Sequence, residues 1–389
     1  MMMTNALLKT LFSYAFRPFF LLTAGYAVLM IAGWGLHQGG VLAWSDSLPA
    51  HVRHGHEMLF GYAGGAIAGF LLTAVATWTN RPAISGPALI GLCVIWIIAR
   101  LAAFIPHDSG LVLWGVASIV FWAGLSALMT REVIAVHNTR NYKVLALLLA
   151  IMATEAEFFG SVPDDLALLE TCLRTGLFLV IGMISLIGGR IIPAFTQNWL
   201  KLNRPQIATQ LPAFGRFDLA SVVITTAFAV GFIVWPTFRL TGWLGILAAG
   251  AQCLRLARWR GWLAWQEPLL WVLHVGYAWI PIGFGLLGVS ILGTPSLFDA
   301  GIHALTYGAI GTLILGVAAR VALGHTGRAL QAFASMKIAF GLMTLGTLLR
   351  LLAPLGNGFI TASILTWMGS YLIFLVQYTP ILLAPRIRS

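Results

Sequence analysis

The chain has 389 residues, of which 59% are hydrophobic and only 9% charged, and its mean hydropathy is +0.89. Such a composition excludes a soluble domain, because apolar runs of the length a membrane span needs, about 20 residues, fill the chain with brief loops between them. The net charge of +11 calls for no nucleic acid, since basic residues collect at the cytoplasmic ends of spans.

In chain order the apolar runs predict twelve spans: 18–36, 58–78, 87–105, 111–129, 144–159, 172–192, 219–235, 240–254, 268–292, 302–323, 338–352 and 360–383. The eighth and eleventh are the shortest. Continuous runs suit helices, whereas barrel strands would be short and alternating. The expected fold is an all-α polytopic membrane protein of about twelve transmembrane helices, with residues 1–389 forming one integral membrane domain. Placing both termini in the cytoplasm puts all but five of the 23 Lys and Arg residues at or near inner span ends. The five are Arg53, Arg100, Arg174, Arg239 and Arg350, while Arg255, Arg258 and Arg260 are expected to face the cytoplasmic leaflet. This bias is the one the positive-inside rule demands of a membrane protein with both termini in the cytoplasm.

Polar groups inside a bilayer are expensive and are functional candidates by default. His54, Gly55, His56, Glu57 and Met58 sit together at the mouth of the second span, His303 at the mouth of the tenth, and His274 inside the ninth. Imidazole is the commonest protein ligand for metals. Glycines follow His56 at +5, +8 and +13 (Gly61, Gly64, Gly69), and follow His303 at the same spacings (Gly308, Gly311, Gly316). The preceding spans carry Gly25-Tyr26-Ala27 and Gly276-Tyr277-Ala278. Spans one and two therefore look related to spans nine and ten. The offset is compatible with three four-helix units, 1–140, 141–260 and 261–389. The glycines read as a small-residue face that admits a neighbouring helix.

His56 and His303 lie at one expected depth near the outer surface, as two imidazoles flanking one haem would. His54 and His56 are two residues apart, about 200° on a helix, so they are expected to serve different centres. His54, with His51, Glu57 and Met58, offers the mixed N, O and S donors that suit copper. His325 follows His303 by roughly 33 Å of helix and is expected at the inner side with His274. Arg53, Arg174 and Arg350 are candidates to clamp haem propionates, since guanidinium suits carboxylates. Glu155 and Glu157, late in the fifth span, and Glu57 are proton-route candidates; the fifth-span pair is alternatively matched to Arg174 or Arg350. The three cysteines, Cys93, Cys172 and Cys253, are far apart and lie in apolar segments. They form no Cys-x-x-Cys-His motif, so any haem is of the non-covalent b type, held by histidine. No zinc-protease motif, phosphate loop or serine elbow occurs.

At these residues the chain resembles the NnrS family, bacterial membrane proteins of the nitric oxide response. The resemblance rests on Phe16-Arg17-Pro18-Phe19-Phe20, on His54-Gly55-His56-Glu57-Met58-Leu59-Phe60-Gly61, and on Gly69-Phe70-Leu71-Leu72-Thr73-Ala74-Val75. It continues in Gly189-Arg190-Ile191-Ile192-Pro193-Ala194-Phe195-Thr196, in His274-Val275-Gly276-Tyr277-Ala278-Trp279, and from His303 to Gly324-His325-Thr326-Gly327-Arg328. Gly55 stands where the family usually has alanine. The resemblance implies haem and copper and protection against nitrosative stress; the reading it supports is a protein that binds nitric oxide, with its reduction by an unspecified electron donor left open. The arrangement also resembles that of haem–copper oxidases, in which haem histidines come from the second and tenth of twelve helices. This chain lacks histidines in its sixth and seventh spans, where that superfamily finds its other metal ligands. Two other classes fit the same residues, a proton-coupled secondary transporter and a nitric oxide or redox sensor without turnover.

Overall fold

Apolar runs bounded by Gly, Pro and charged residues fold as helices throughout, because a bilayer leaves no water to satisfy an unpaired backbone. The computed structural model describes residues 2–44, 48–162, 165–207, 211–212 and 214–387, and no strand occurs among them. After a short helix at Met2–Leu11 come α1 (Phe16–Gln38), α2 (Ala50–Thr79), α3 (Pro87–Ala102), α4 (Asp108–Ala135), α5 (Tyr142–Gly160) and α6 (Leu166–Asn203). The second half holds α7 (Arg216–Val234), α8 (Arg239–Arg258), α9 (Pro268–Leu292), α10 (Pro295–His325), α11 (Ala334–Leu351) and α12 (Asn357–Leu383).

Ten of these are long and apolar enough to cross a membrane. The other two are α3, which is apolar but has only 16 residues, and α5, which carries Lys143, Glu155 and Glu157. All twelve expected runs are thus helical, and the chain is a multi-pass membrane protein. Local signals set several ends. Pro87 and Pro268 open α3 and α9 at the first turn, where a missing N–H costs nothing. The Glu267 carboxylate accepts from the Leu269 N–H at 3.1 Å. Gly293 stops α9 at a φ of +153°, which L side chains rarely adopt.

The chain divides into two compact units. The first comprises Met1–Leu179, Val321–Ala329 and Phe374–Ser389, and the second Val180–Arg320 and Leu330–Ile373. The principal division falls inside α6. In the first unit α1 packs on α2, α2 on α4, α3 on α4 and α4 on α5; in the second α7 packs on α8, α8 on α9, α9 on α10 and α10 on α11.

The repeated motif has a structural counterpart that regular α-helical spacing does not contain. Directly after His56, α2 widens into a π-helical stretch, Glu57–Ala63, and directly after His303, α10 does the same at Ala304–Gly311. Such turns interrupt the ordinary backbone ladder and concentrate at functional sites. In each, a neighbouring side chain takes a carbonyl: Trp96 Nε1 donates to Gly61 O at 3.1 Å, and Tyr371 OH to Gly311 O at 3.2 Å. The glycines are sockets for neighbouring side chains. A Cβ on Gly64 would come 2.9 Å from the Trp122 ring, and one on Gly311 would come 2.6 Å from the Trp367 ring. At the next position, Gly69 faces Phe19 and Phe20 of α1, and Gly316 faces Val272 and Leu273 of α9. The expectation that these glycines admit neighbouring helices therefore describes them well.

Candidate functional site

His56 ends the first turns of α2, just before the π stretch, and is fully buried. Its Nδ1 lies 3.1 Å from Glu57 Oε1, and its Nε2 lies 3.0 Å from Oε2 of Glu155 on α5. Both glutamates are also fully buried. Arg100 on α3 reaches both Glu57 oxygens through one nitrogen at 2.7 Å and gives its other terminal nitrogen to Ser118 Oγ of α4 at 2.9 Å. The Tyr26 hydroxyl on α1 donates to Glu57 Oε2. Five helices thus meet at one polar group. Around it are the rings of Phe158, Trp114, Phe60 and Phe159, with centroids 4.6 to 5.1 Å from that of His56. Such walls exclude water and strengthen every charge interaction inside them. The second Glu155 oxygen, Oε1, is buried without a hydrogen-bond partner.

Other expected site residues of the first unit lie elsewhere. His54 points away from His56 and stacks on Trp34, with centroids 4.4 Å apart. His51 is exposed, 3.8 Å from Glu170, and Met58 is half-buried. Arg53 is buried, donates to the Ala103 carbonyl and lies 5.2 Å over the Trp114 ring. Arg174 donates to Thr171 Oγ1 at 2.9 Å. Glu157 is exposed whereas Glu155 is buried, so the two carboxylates lie in different environments. The half-buried ring of His325 packs against Tyr14 and Phe16, at 5.6 Å from each.

His274, His303 and Arg350 belong to the second unit. The Thr196 hydroxyl donates to the Ile192 carbonyl at 3.0 Å, so the 2.9 Å contact of His274 Nε2 with that hydroxyl has the imidazole as donor. His274 Nδ1 then carries the lone pair, has no hydrogen-bond partner, and abuts Gly261. His303 is half-buried, and its Nδ1 donates to the Asp299 carbonyl at 2.8 Å. Because a carbonyl can only accept, this bond fixes the neutral tautomer with its lone pair on Nε2. Arg350 is half-buried.

These placements decide which histidines fit iron or copper. Iron on His56 would have to displace Glu155 or Glu57, and a macrocycle would need the space of the surrounding rings. That departs from the expectation of a haem between His56 and His303. His274 is closed by Gly261. Among the described residues no group of three or more His, Cys, Asp or Glu side chains converges as a metal site. The donors expected to hold copper around His54 are therefore dispersed and do not fit it. His303 does fit: a ligating imidazole ordinarily anchors its other nitrogen on a carbonyl or carboxylate.

The sequence reading overlooked several residues. Tyr26, Arg100 and Ser118 complete the His56 group. In the second unit, Arg255 of α8 was expected at the cytoplasmic leaflet, yet it is 1% exposed. It donates to Asp218 at 3.1 Å, to Ser185 Oγ at 2.8 Å and to the Tyr277 hydroxyl at 2.9 Å. Tyr277 in turn donates to Gln252, and Gln252 to Thr225. One signal marked both groups: Tyr26 and Tyr277 are the matched tyrosines of the two Gly-Tyr-Ala segments. No protein of curated function matches the sequence. The model of the NnrS protein family matches residues 10–386, nearly the whole chain, and the chain belongs to the NnrS family.

Proposed function

We propose that the protein is a haem-containing component of the bacterial nitric oxide response that binds nitric oxide within the membrane, with His303 as the imidazole ligand of the iron. Family membership supports the nitric oxide role. The observation that carries the ligand assignment is the 2.8 Å bond from His303 Nδ1 to the Asp299 carbonyl, which orients the ring and fixes the lone pair on Nε2. Haem iron, when bound, supplies an open coordination position for a diatomic gas. A membrane site suits this substrate, because a small apolar molecule partitions into lipid. The distribution of Lys and Arg supports the cytoplasmic membrane, with both termini inside.

The test is haem content per protein, with optical spectra of the reduced protein before and after nitric oxide. His303→Ala is expected to lose most of the haem and the nitric oxide-induced band shift, while His56→Asn keeps both. Full haem with an unchanged spectrum in His303→Ala would overturn the assignment. Nitrous oxide release by the reduced protein separates turnover from binding.

A further inference from the structure

We propose that His56 and Glu155 form a proton relay in the first unit: one exchangeable proton is shared between the imidazole and the carboxylate. Tyr26 and Glu57 stand at one end of the relay and the second oxygen of Glu155 at the other. The proposal is independent of the haem assignment, because its ligand is the proton itself.

The hydrogen-bond chain is continuous. The Tyr26 hydroxyl meets Glu57, Glu57 meets His56 Nδ1 at 3.1 Å, and His56 Nε2 meets Glu155 at 3.0 Å. An imidazole in such a chain accepts a proton on one nitrogen and releases one from the other. No atom need move beyond the length of a hydrogen bond.

The charges around His56 favour a shared proton. The groups facing His56 come from every helix around it. Glu57 and Arg53 lie on its own helix, Tyr26 on α1, Arg100 on α3, the neutral Ser118 and Trp114 on α4, and Glu155 on α5. Cys172 of α6 packs in the adjoining apolar cluster with Trp114 and Phe158, and Glu157 is turned outward. Arg100 pairs with Glu57. Arg53 is committed to the Ala103 carbonyl and the face of Trp114. A lone ionised Glu155, fully buried, would bear a desolvation cost that proteins avoid by protonation or pairing. One proton on the His56–Glu155 dyad removes that cost, whether it sits on nitrogen or oxygen. The proton can therefore move between them without creating net charge.

The far end of the chain is open. Glu155 Oε1 is buried with no hydrogen-bond partner. Buried polar atoms in native proteins are nearly always satisfied, and a catalytic or proton-handling role is one of the few reasons for an exception. A purely structural ion pair would use both oxygens, as Glu57 does.

The test is infrared difference spectroscopy of the full-length protein in lipid vesicles, titrated with pH in H2O and D2O. The wild type is expected to show a protonated-carboxyl stretch that shifts in D2O and varies with pH. Glu155→Gln should abolish it. His56→Asn should keep it but move its midpoint by a factor of ten or more in proton concentration. Glu155→Asp, which retains a carboxyl, should restore a titrating band and serves if the amide variant does not accumulate. The relay is refuted if the wild type has no exchangeable carboxyl band, or if the band survives Glu155→Gln, or if His56→Asn leaves its midpoint unmoved. Haem content measured on the same samples reports on the His303 assignment separately.

Discussion

Each unit buries one tyrosine–arginine–carboxylate group, and the two groups are built alike up to a point. In both, the tyrosine follows the glycine of a Gly-Tyr-Ala segment, on α1 in the first unit and α9 in the second, and it meets an arginine–carboxylate pair brought in by other helices. In the second unit the group is closed. Arg255, Asp218, Tyr277, Gln252, Ser185 and Thr225 satisfy one another, and no buried polar side-chain atom among them lacks a partner. The first unit adds His56 and a second carboxylate, and leaves Arg100 Nε and Glu155 Oε1 without partners. A fully satisfied polar network rigidifies a core, whereas each unsatisfied buried group in a partly satisfied one is costly and calls for an explanation. In the relay proposed above, the same device serves as a fastener in one unit and as a proton-exchanging group in the other.

The sharpest way to break this comparison is to make one chemical change in both groups. Asp218→Asn strips the countercharge from Arg255, which is fully buried, and removing one partner of such a pair costs about 3–5 kcal/mol. Glu155→Gln should cost only about 1 kcal/mol, a hydrogen-bond-sized loss, because the dyad can release its proton and leave a neutral His56 facing the amide. Thermal unfolding of both variants in the same detergent decides this. Equal large losses would mean that His56 and Glu155 are a fixed ion pair.

A smaller effect tests whether the two π stretches are packed to the same tolerance. Gly311→Ala drives a methyl to 2.6 Å from the Trp367 ring, and Gly64→Ala drives one to 2.9 Å from the Trp122 ring. Both rings are rigid and buried, so each should lose about 1–3 kcal/mol by overpacking, with Gly311→Ala the worse. Loss in one variant and none in the other would show that the shared glycine spacing does not mean shared packing.

The twelve helices were legible because an apolar run of span length has few alternatives in lipid. The repeat was legible because close helix approach demands glycine at fixed places, and Trp122 and Trp367 occupy the sockets that result. The π turns were not legible. An i to i+5 turn leaves no mark in the spacing of apolar residues, and it rotates everything downstream of the histidine. Arg255 was misread for a related reason. It lies near the end of an apolar run, where most basic residues are interfacial, and its partner Asp218 is 37 positions away on another helix. His56 stood out in the sequence as a polar group at a span mouth, but its type suggested a metal ligand. Only its neighbours, Glu155 and Glu57 on its two nitrogens, turn it into a proton-bearing group.

The finest distinction between the units lies in their tyrosines. The Tyr277 hydroxyl is a junction: it accepts from Arg255 and donates to Gln252. Tyr277→Phe therefore removes two bonds at once and leaves a buried guanidinium and a buried amide each short of a partner, at a cost of about 1–3 kcal/mol. The Tyr26 hydroxyl is a terminus. It donates to a Glu57 oxygen that Arg100 already holds, so Tyr26→Phe leaves no carboxylate unpaired and should cost about 1 kcal/mol or less. Stability should fall further for Tyr277→Phe than for Tyr26→Phe in parallel melts, while the spectroscopic change should run the other way. Tyr26→Phe removes an end of the proton chain and should perturb the carboxyl bands of the first unit, whereas Tyr277→Phe should leave them in place. If both readouts rank the two variants alike, the tyrosines are interchangeable fasteners, and the contrast between the two groups must rest on His56 and Glu155 alone.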